Sequence, residues 1–396
     1  MDYRNHNSIA VIVGDYPSSG SMKFVFVKQL VDEIVNNGVK VDVIAPQSIT
    51  HTIIRHEKFL PVHSTEMTDK GVSYNVHRPY TVSFGNSQLF IFKCIARWFG
   101  RRAVEGQLRK IKPEILYAHF WGSARQVCHY ADRNRIPLFV ACGESVIPFE
   151  EESHIFSRQN DKDVLNGTVN GVIAVSSENK RASVELGLTS PDKVEVIPNC
   201  VNIELFQKQD VSELKKELGI TDDDFVVCFV GGFISRKGPD RVAQAIKNIN
   251  DAKIKSIFIG KPSLGYSYDF DCPGILLKGP LDHDLIPKYL NCSSVFVLPT
   301  ENEGCCNAII EALAVGIPVI SSTGAFNDDI LNEKNSIRVD ADDVAALTEA
   351  IKTLRDNPGL RKSMSEYSLS RHKEYGIEGR AQRVLEFINS RIDQID

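Results

Sequence analysis

Apolar residues fall along this chain in two periods that alternate. SIAVIVG at Ser8–Gly14 is a short β-branched run, and the loop DYPSSGS then leads into FVFVKQLVDEIVNNG, where apolar positions recur at helical spacing. Strand, glycine-containing loop and helix make a Rossmann-type opening. VKVDVIAP at Val39–Pro46, ILYAHF, LFVACG and GVIAVSS at Gly171–Ser177 add strands bounded by polar or helical stretches, which implies a parallel sheet.

The pattern restarts at Asp224 with DFVVCFVGG, after KVEVIPNCVNIELF at Lys193–Phe206, which reads as a link. SIFIG, GILLKG, VFVLPT and PVISST follow as short strands between helical stretches. The expected fold is therefore α/β, with two Rossmann-like, doubly wound domains facing across a cleft, 1–189 and 190–396. A length of 396 residues agrees, being too great for one ordinary core. The last helical stretch, IEGRAQRVLEFINSRI within about 376–396, either finishes the second domain or packs back on the first; periodicity leaves both open.

Composition narrows the function classes. A hydrophobic share of 42% with 24% charged residues is ordinary for a globular protein, and a net charge of −5 disfavours a nucleic-acid binder. Nine cysteines, scattered and with no CxxC pair, read as reduced thiols rather than a disulfide framework or a metal site. The amino-terminal apolar run is too short for a signal peptide and no stretch approaches a spanning helix, so a cytoplasmic location is expected. Asp222–Asp224 precedes a strand and should be a solvated turn at the amino end of the sheet, and no metal is expected.

The chemistry is densest in PTENEGCCNAIIEALAVGIPVISS. Here a strand ends in a loop carrying Glu303 and Gly304, and the next helix carries Glu311, eight positions after Glu303. Loops at the carboxyl ends of parallel strands line the ligand crevice, and helix-start amides suit an anion such as a diphosphate. Glu311 lies among apolar neighbours, where a charge needs partners; its carboxylate suits a pair of ribose hydroxyls.

EGCCNAIIEALAVGIPVI resembles the glutamate–seven residues–glutamate signature of the family 4 retaining glycosyltransferases, which share the B-type, two-Rossmann-domain fold. IAVSSENKRASVELGL with VEVIPNCVNIELF is similar to the family's interdomain stretch, GGFISRKGPDRVAQAI to its first strand-to-helix loop of the second domain, and LKGPLDHDLIPKYLNCSSVFVLPT to its nucleotide-side loop. The resemblance spans essentially the whole chain, most strongly from about 171 to 330. It implies Glu311 on the donor ribose, Glu303 on the transferred sugar, Lys237 on the diphosphate, and backbone amides from Cys305, Cys306 and Asn307. Gly279 and Leu281 would lie on the nucleotide-side loop. It further implies a hexose moved from a nucleotide sugar, UDP being the commonest carrier, to a glycan or lipid-linked acceptor in polysaccharide biosynthesis, with the leaving phosphate as base and no cofactor.

Three positions depart from the family pattern. Gly232 stands where an arginine is common, with Arg236 as a substitute cation; Cys200 replaces a glycine of the interdomain turn; Cys142 replaces a histidine before glycine in FVACGES. His119, ending ILYAHF, then becomes the catalytic candidate of the first domain. Gly20, in the loop after the first strand, would let backbone approach sugar or phosphate. Cys142, Glu144 and Ser145 are acceptor-side candidates, and Glu144 keeps a double displacement open.

LFIFKCIARWFGRRAVEGQLRKIK, 89–112, sets aromatics among seven cations and one acid. A peripheral contact with anionic lipid at the inner membrane face is one reading of it; a helix packed on the sheet with snorkelling charges is the other. A nicotinamide-dependent oxidoreductase is disfavoured because neither half has GxGxxG between strand and helix. A sugar epimerase, a phosphorylase, or a sugar-nucleotide-binding regulator without catalysis remains an alternative on the same fold.

Overall fold

The structure, a computed structural model, describes residues 8–17, 24–84, 90–147, 158–263 and 267–394. Its contacts divide the chain into two units, Met1–Ile197 with Arg380–Asp396, and Pro198–Gly379.

In the first unit the order is β1 (Ser8–Ile12), α1 (Val25–Asn36), β2 (Lys40–Ile44), β3 (Gln47–Ser48), α2 (Ile49–Ile54), β4 (His63–Met67), β5 (Ser73–His77), β6 (Tyr80–Thr81) and α3 (Phe90–Ile111). Then come β7 (Ile115–His119), α4 (Trp121–Asn134), β8 (Leu138–Cys142), α5 (Arg158–Thr168), β9 (Val169–Ala174), α6 (Ser177–Glu185) and β10 (Val194–Val196). The main sheet runs β10-β9-β8-β7-β1-β2-β5-β4, parallel except for β4, which pairs antiparallel with β5. Strand order reverses between β1 and β7. Ligand crevices of such sheets open at the carboxyl ends of the strands at that reversal, and β7 ends there in His119.

The second unit holds α7 (Ser212–Glu217), β11 (Phe225–Val230), α8 (Pro239–Ile249), β12 (Ile254–Ile259), β13 (Ile275–Gly279), α9 (Ile286–Asn291), β14 (Val295–Leu298), α10 (Asn307–Ala314), β15 (Val319–Ser322), β16 (Ser336–Val339), α11 (Val344–Asp356) and α12 (Pro358–Ser370). Its sheet, β13-β12-β11-β14-β15-β16, is parallel throughout and has the strand order of dinucleotide-binding folds. The all-apolar run of β11 is buried at every position, as a strand covered by helices on both faces requires. Thr221 donates to Asp224 through its amide and hydroxyl, both at 2.8 Å, so the acidic run forms the turn before β11.

The division at Ile197 lies beyond the expected one at 189, and the reason is β10. Val194–Val196 pairs with Val172–Ala174 of β9, so the segment read as a link first adds an edge strand to the first sheet. The last helix, α13 (Ile377–Ile392), starts in the second unit and continues into the first. It buries Ala381, Val384, Leu385, Ile388 and Ile392, one stripe at helical spacing. Phe387 lies over Gly171 of β9, where an added Cβ would stand 2.7 Å from the Phe387 ring and 2.9 Å from that of Phe139. Gly171→Val is therefore expected to cost about 1–3 kcal/mol through overpacking. Both tryptophans, Trp98 and Trp121, belong to this unit, so urea unfolding followed by tryptophan fluorescence reads the loss directly; an unchanged midpoint would show that α13 does not bear on β9.

Candidate active site

In the second unit the sheet reverses between β11 and β14, and the loops leaving these two strands are stitched together. After β11, a short turn at Ser235–Lys237 leads to Gly238, whose φ of 71° and position against Arg241 both demand glycine: a Cβ there would stand 2.6 Å from Arg241 Nε. Pro239 then opens α8, where its missing N–H costs nothing. Arg241 donates to the Pro299 carbonyl at 2.9 Å and pairs with Glu301 at 2.9 Å, while the Glu301 amide donates to the Arg236 carbonyl at 3.0 Å. These bonds fix the Arg236–Lys237 turn against the loop after β14.

At their meeting point stands Glu303. Its Oε1 accepts from Arg236 Nη1 at 2.7 Å, from Thr300 Oγ1 at 3.0 Å and from Lys237 Nζ. Burial alone would raise the Glu303 carboxyl, but Lys237 and then Arg236 hold it below the usual carboxylate range. Lys237 is the mirror case: burial works to lower it, and Cys306 and Glu303 keep it above the ordinary lysine value. Gly232 leaves room at its position, an added Cβ meeting nothing nearer than the Lys261 carbonyl at 4.0 Å. The second cation of the site is Arg236.

Gly304 and Cys306 are buried beside this cluster, Cys305 half so, and α10 then begins at Asn307 with no side-chain cap and no acid in its first turn. The amino end of an uncapped helix carries a partial positive charge and suits an anion. Glu311, in the middle of α10, is buried and accepts from His283 Nε2 at 3.1 Å; that bond comes first among the causes holding His283 above its ordinary value. Gly279 ends β13, and Leu281 packs on the core just before His283. Asn199 Nδ2, from the turn departing at Cys200, donates to Asn307 Oδ1 at 2.9 Å.

The first unit places its candidates at the ends of β7 and β8. His119 is buried at 5% exposure with neither ring nitrogen hydrogen-bonded, and its ring lies 4.4, 5.4 and 6.4 Å from those of Phe120, Phe26 and Phe24. Burial, reinforced by Arg380, pushes its pKa down to about 3, so the imidazole is neutral at pH 7. Two of its neighbours, Phe24 (φ 58°) and Phe120 (φ 76°), hold backbone conformations that bulky residues avoid. Such strain gathers at functional sites.

The other first-unit candidates fare differently. Cys142 is fully buried, within reach of the Ser183 hydroxyl at 3.5 Å, and burial drives its thiol far up. It is packed in the core and offers an acceptor no exposed atom, which corrects that expectation. Glu144 accepts from the Trp121 amide at 2.7 Å and the Gly143 amide at 3.1 Å, so its carboxylate serves the start of α4, and burial raises it. Ser145 is exposed in the following bend, and Gly20 lies outside the described residues.

With this geometry, comparison with known proteins is decisive for the family. The sequence model described as Glycosyltransferase Family 4 matches residues 24–205, and that described as Glycosyl transferases group 1 matches 210–371. The chain belongs to the family 4 glycosyltransferases. Among curated relatives, it is 22% identical over 304 residues to D-inositol 3-phosphate glycosyltransferase 1 of Catenulispora acidiphila, covering 71% of this chain and 73% of that protein. It is 31% identical over 205 residues to the UDP-Gal:alpha-D-GlcNAc-diphosphoundecaprenol alpha-1,3-galactosyltransferase of Escherichia coli, covering 48% and 52%. Among solved structures, sucrose-phosphate synthase from Thermosynechococcus elongatus superposes with a TM-score of 0.77 over 98% of this chain and 100% of that one, at 18% identity, and shares the GT-B fold.

Against the family pattern, the residues that sequence reasoning missed are His283 and Asn199. His283 lies inside the stretch LKGPLDHDLIPKYLNC and Asn199 directly precedes Cys200, so both sit in segments the sequence marks without a signal of their own. One grouping, Cys128, His129 and Asp161, is close enough to share a cation, but Asp161 already pairs with Arg125 at 2.7 Å, and burial pushes the Cys128 thiol up to about 11. In α3 the two readings of the basic, aromatic segment divide along the helix. Val104 and Leu108 are buried and Glu105 binds Arg109 and Arg133 at 3.0 and 2.9 Å, while Ile91, Trp98 and Phe99 are exposed. Among the described residues no helix is long and apolar enough to cross a membrane.

Proposed function

We propose that this glycosyltransferase moves a hexose, with retention, from a UDP-sugar to a glycan or lipid-linked acceptor in polysaccharide assembly. The observation that carries the reading is the convergence of Lys237, Arg236 and the uncapped start of α10 where the second sheet reverses. Two cations and a helix amino end form a seat for a diphosphate, held meanwhile by Glu303. An incoming diphosphate would take the cations and release Glu303 to the hydroxyls of the transferred sugar, while Glu311, steadied by His283, accepts from the ribose. The uridine carrier and the lipid-linked class of acceptor are named for the Escherichia coli relative.

In the transfer itself, the bond from C1 to the diphosphate oxygen breaks and a bond from C1 to the acceptor oxygen forms on the same face. The acceptor's proton passes to the leaving phosphate oxygen. Negative charge grows on the diphosphate as the bond breaks, so the ammonium of Lys237 acts more strongly in the transition state than before it. Glu144, the carboxylate a double displacement would need from the first unit, is engaged at the start of α4, which favours the single-step course.

Isothermal titration of UDP, GDP and ADP against wild type and Glu311→Ala tests the reading. UDP is expected to bind in preference and to lose tenfold or more in the variant, about 1.4 kcal/mol, the scale of hydrogen bonds to a charged group. If no diphosphate binds, or the variant binds as wild type does, the donor assignment is wrong; binding without transfer to any acceptor would make the protein a regulator.

A further inference from the structure

The first unit contains a cavity of about 440 Å³ that the donor chemistry does not use. It lies at the carboxyl ends of β1, β2 and β5 and is walled by Gln47, Ser48, Arg78 and Thr81 on one side and by Ala96 and Gly100 of α3 on the other. Carboxyl ends of parallel strands are where such sheets bind ligands. Two polar groups in the wall lack partners: Arg78 Nε and Thr81 Oγ1 are buried with no hydrogen bond.

Arg78 is the telling residue. It is 3% exposed and spends its other nitrogens on neutral oxygens, Ser64 Oγ at 2.8 Å and the Pro17 carbonyl at 3.4 Å. Among the described residues no carboxylate lies within ion-pair distance of it. A guanidinium that has lost its water without gaining an anion is costly, and burial duly pushes Arg78 below the usual arginine range. Lys58 adds positive charge to the wall, whereas Asp15 and Glu57 add carboxylates, so the cavity is not a general anion trap. One group on the ligand must be anionic and others must be hydroxyls that carboxylates and amides can accept from or donate to.

We propose that this cavity binds the phosphorylated sugar of the acceptor, its phosphate on Arg78. The proposal rests on the glycosyltransferase reading and adds the acceptor's chemical class. It fits the names of both relatives, which give an inositol phosphate and a diphosphate-linked GlcNAc, each carrying phosphate. The segments that wall the cavity also expose Ile53, Ile54, Phe59 and Tyr80, and α3 exposes Ile91 and Trp98, an apolar margin suited to the lipid of a carrier.

The test is calorimetric binding of N-acetylglucosamine 1-phosphate to the full chain with saturating UDP, set beside unphosphorylated N-acetylglucosamine and beside the same sugar on a short prenyl diphosphate. Wild type should bind the phosphate ester at least tenfold tighter than the plain sugar. Arg78→Gln should abolish that preference. Should Arg78→Gln fail to fold, Gly100→Leu fills the cavity from a helix position where an added Cβ meets nothing nearer than 3.8 Å, and should weaken binding as much. Tighter binding of the prenyl form assigns a lipid-linked acceptor, equal binding a soluble sugar phosphate. No preference for the phosphate ester, or a Gly100→Leu protein that binds it unchanged, overturns the proposal. UDP binding, measured in the same proteins, keeps this outcome separate from failure of the donor site.

Discussion

Lys237→Ala is expected to lower kcat about 100- to 1,000-fold, some 3–4 kcal/mol of transition-state stabilisation, while the donor KM changes much less. In the proposed transfer the ammonium meets its full load only when the leaving diphosphate gains charge; before that, Arg236 and the start of α10, which stand beside it, would share the diphosphate. Lys237→Arg should not restore the rate, since a planar fork does not fit the space of a point charge 15% exposed against Glu303. Loss of Lys237 also leaves Glu303 buried with one cation fewer, so the variant should be less stable. Lys237→Ala combined with Glu303→Gln relieves that misplaced charge and should recover stability but no activity. Steady-state kinetics and thermal unfolding on the three proteins check this; recovery of turnover in the double variant would assign Lys237 a purely structural part.

Much of this site could be read from residue order because its chemistry is local. Glu303, Gly304 and Glu311 lie on one strand–loop–helix passage, and the partner turn, Arg236–Lys237, follows the other strand at the reversal of the sheet. A parallel sheet brings such loops together whenever the strands neighbour one another, so motif and fold class together sufficed. The His283–Glu311 bond joins positions 28 apart on a turn and a helix, and no periodicity announces it. β10 escaped for a different reason: three residues with a glutamate in the middle carry too little apolar signal, and only pairing with β9 makes them a strand. Cys142 stands where the family has a histidine before glycine, but the side chain there points into the core under α6 and meets Ser183, a contact that residue order does not show. The cavity at Arg78 was invisible for the same physical reason as His283, its walls being drawn from positions 14 to 126.

His119 gives the second large effect, and the sign of its pH dependence follows from its burial. Its folded pKa of about 3 lies below the ordinary value near 6.5, so the folded chain binds fewer protons than the unfolded one. Stability owed to the neutral imidazole is complete above about pH 6.5 and is lost progressively as pH falls toward 3. At pH 5 the loss from this group alone is about 2 kcal/mol by the standard linkage slope. His119→Gln removes the titration, so its stability should fall less than that of wild type between pH 7 and pH 5. Urea unfolding read through Trp98 and Trp121, both in the unit that holds His119, isolates the effect. Parallel stability losses in the two proteins would mean that His119 finds a proton acceptor inside the fold. Activity provides the complementary reading. A neutral imidazole with two unengaged nitrogens is suited to hydrogen-bond a substrate hydroxyl, and glutamine, which keeps an N–H and a carbonyl, should retain more turnover than alanine. The pH profile of kcat/KM for wild type should then show no limb near 6.5 that His119→Gln abolishes, because in the proposed transfer the acceptor's proton leaves with the diphosphate and never resides on this ring.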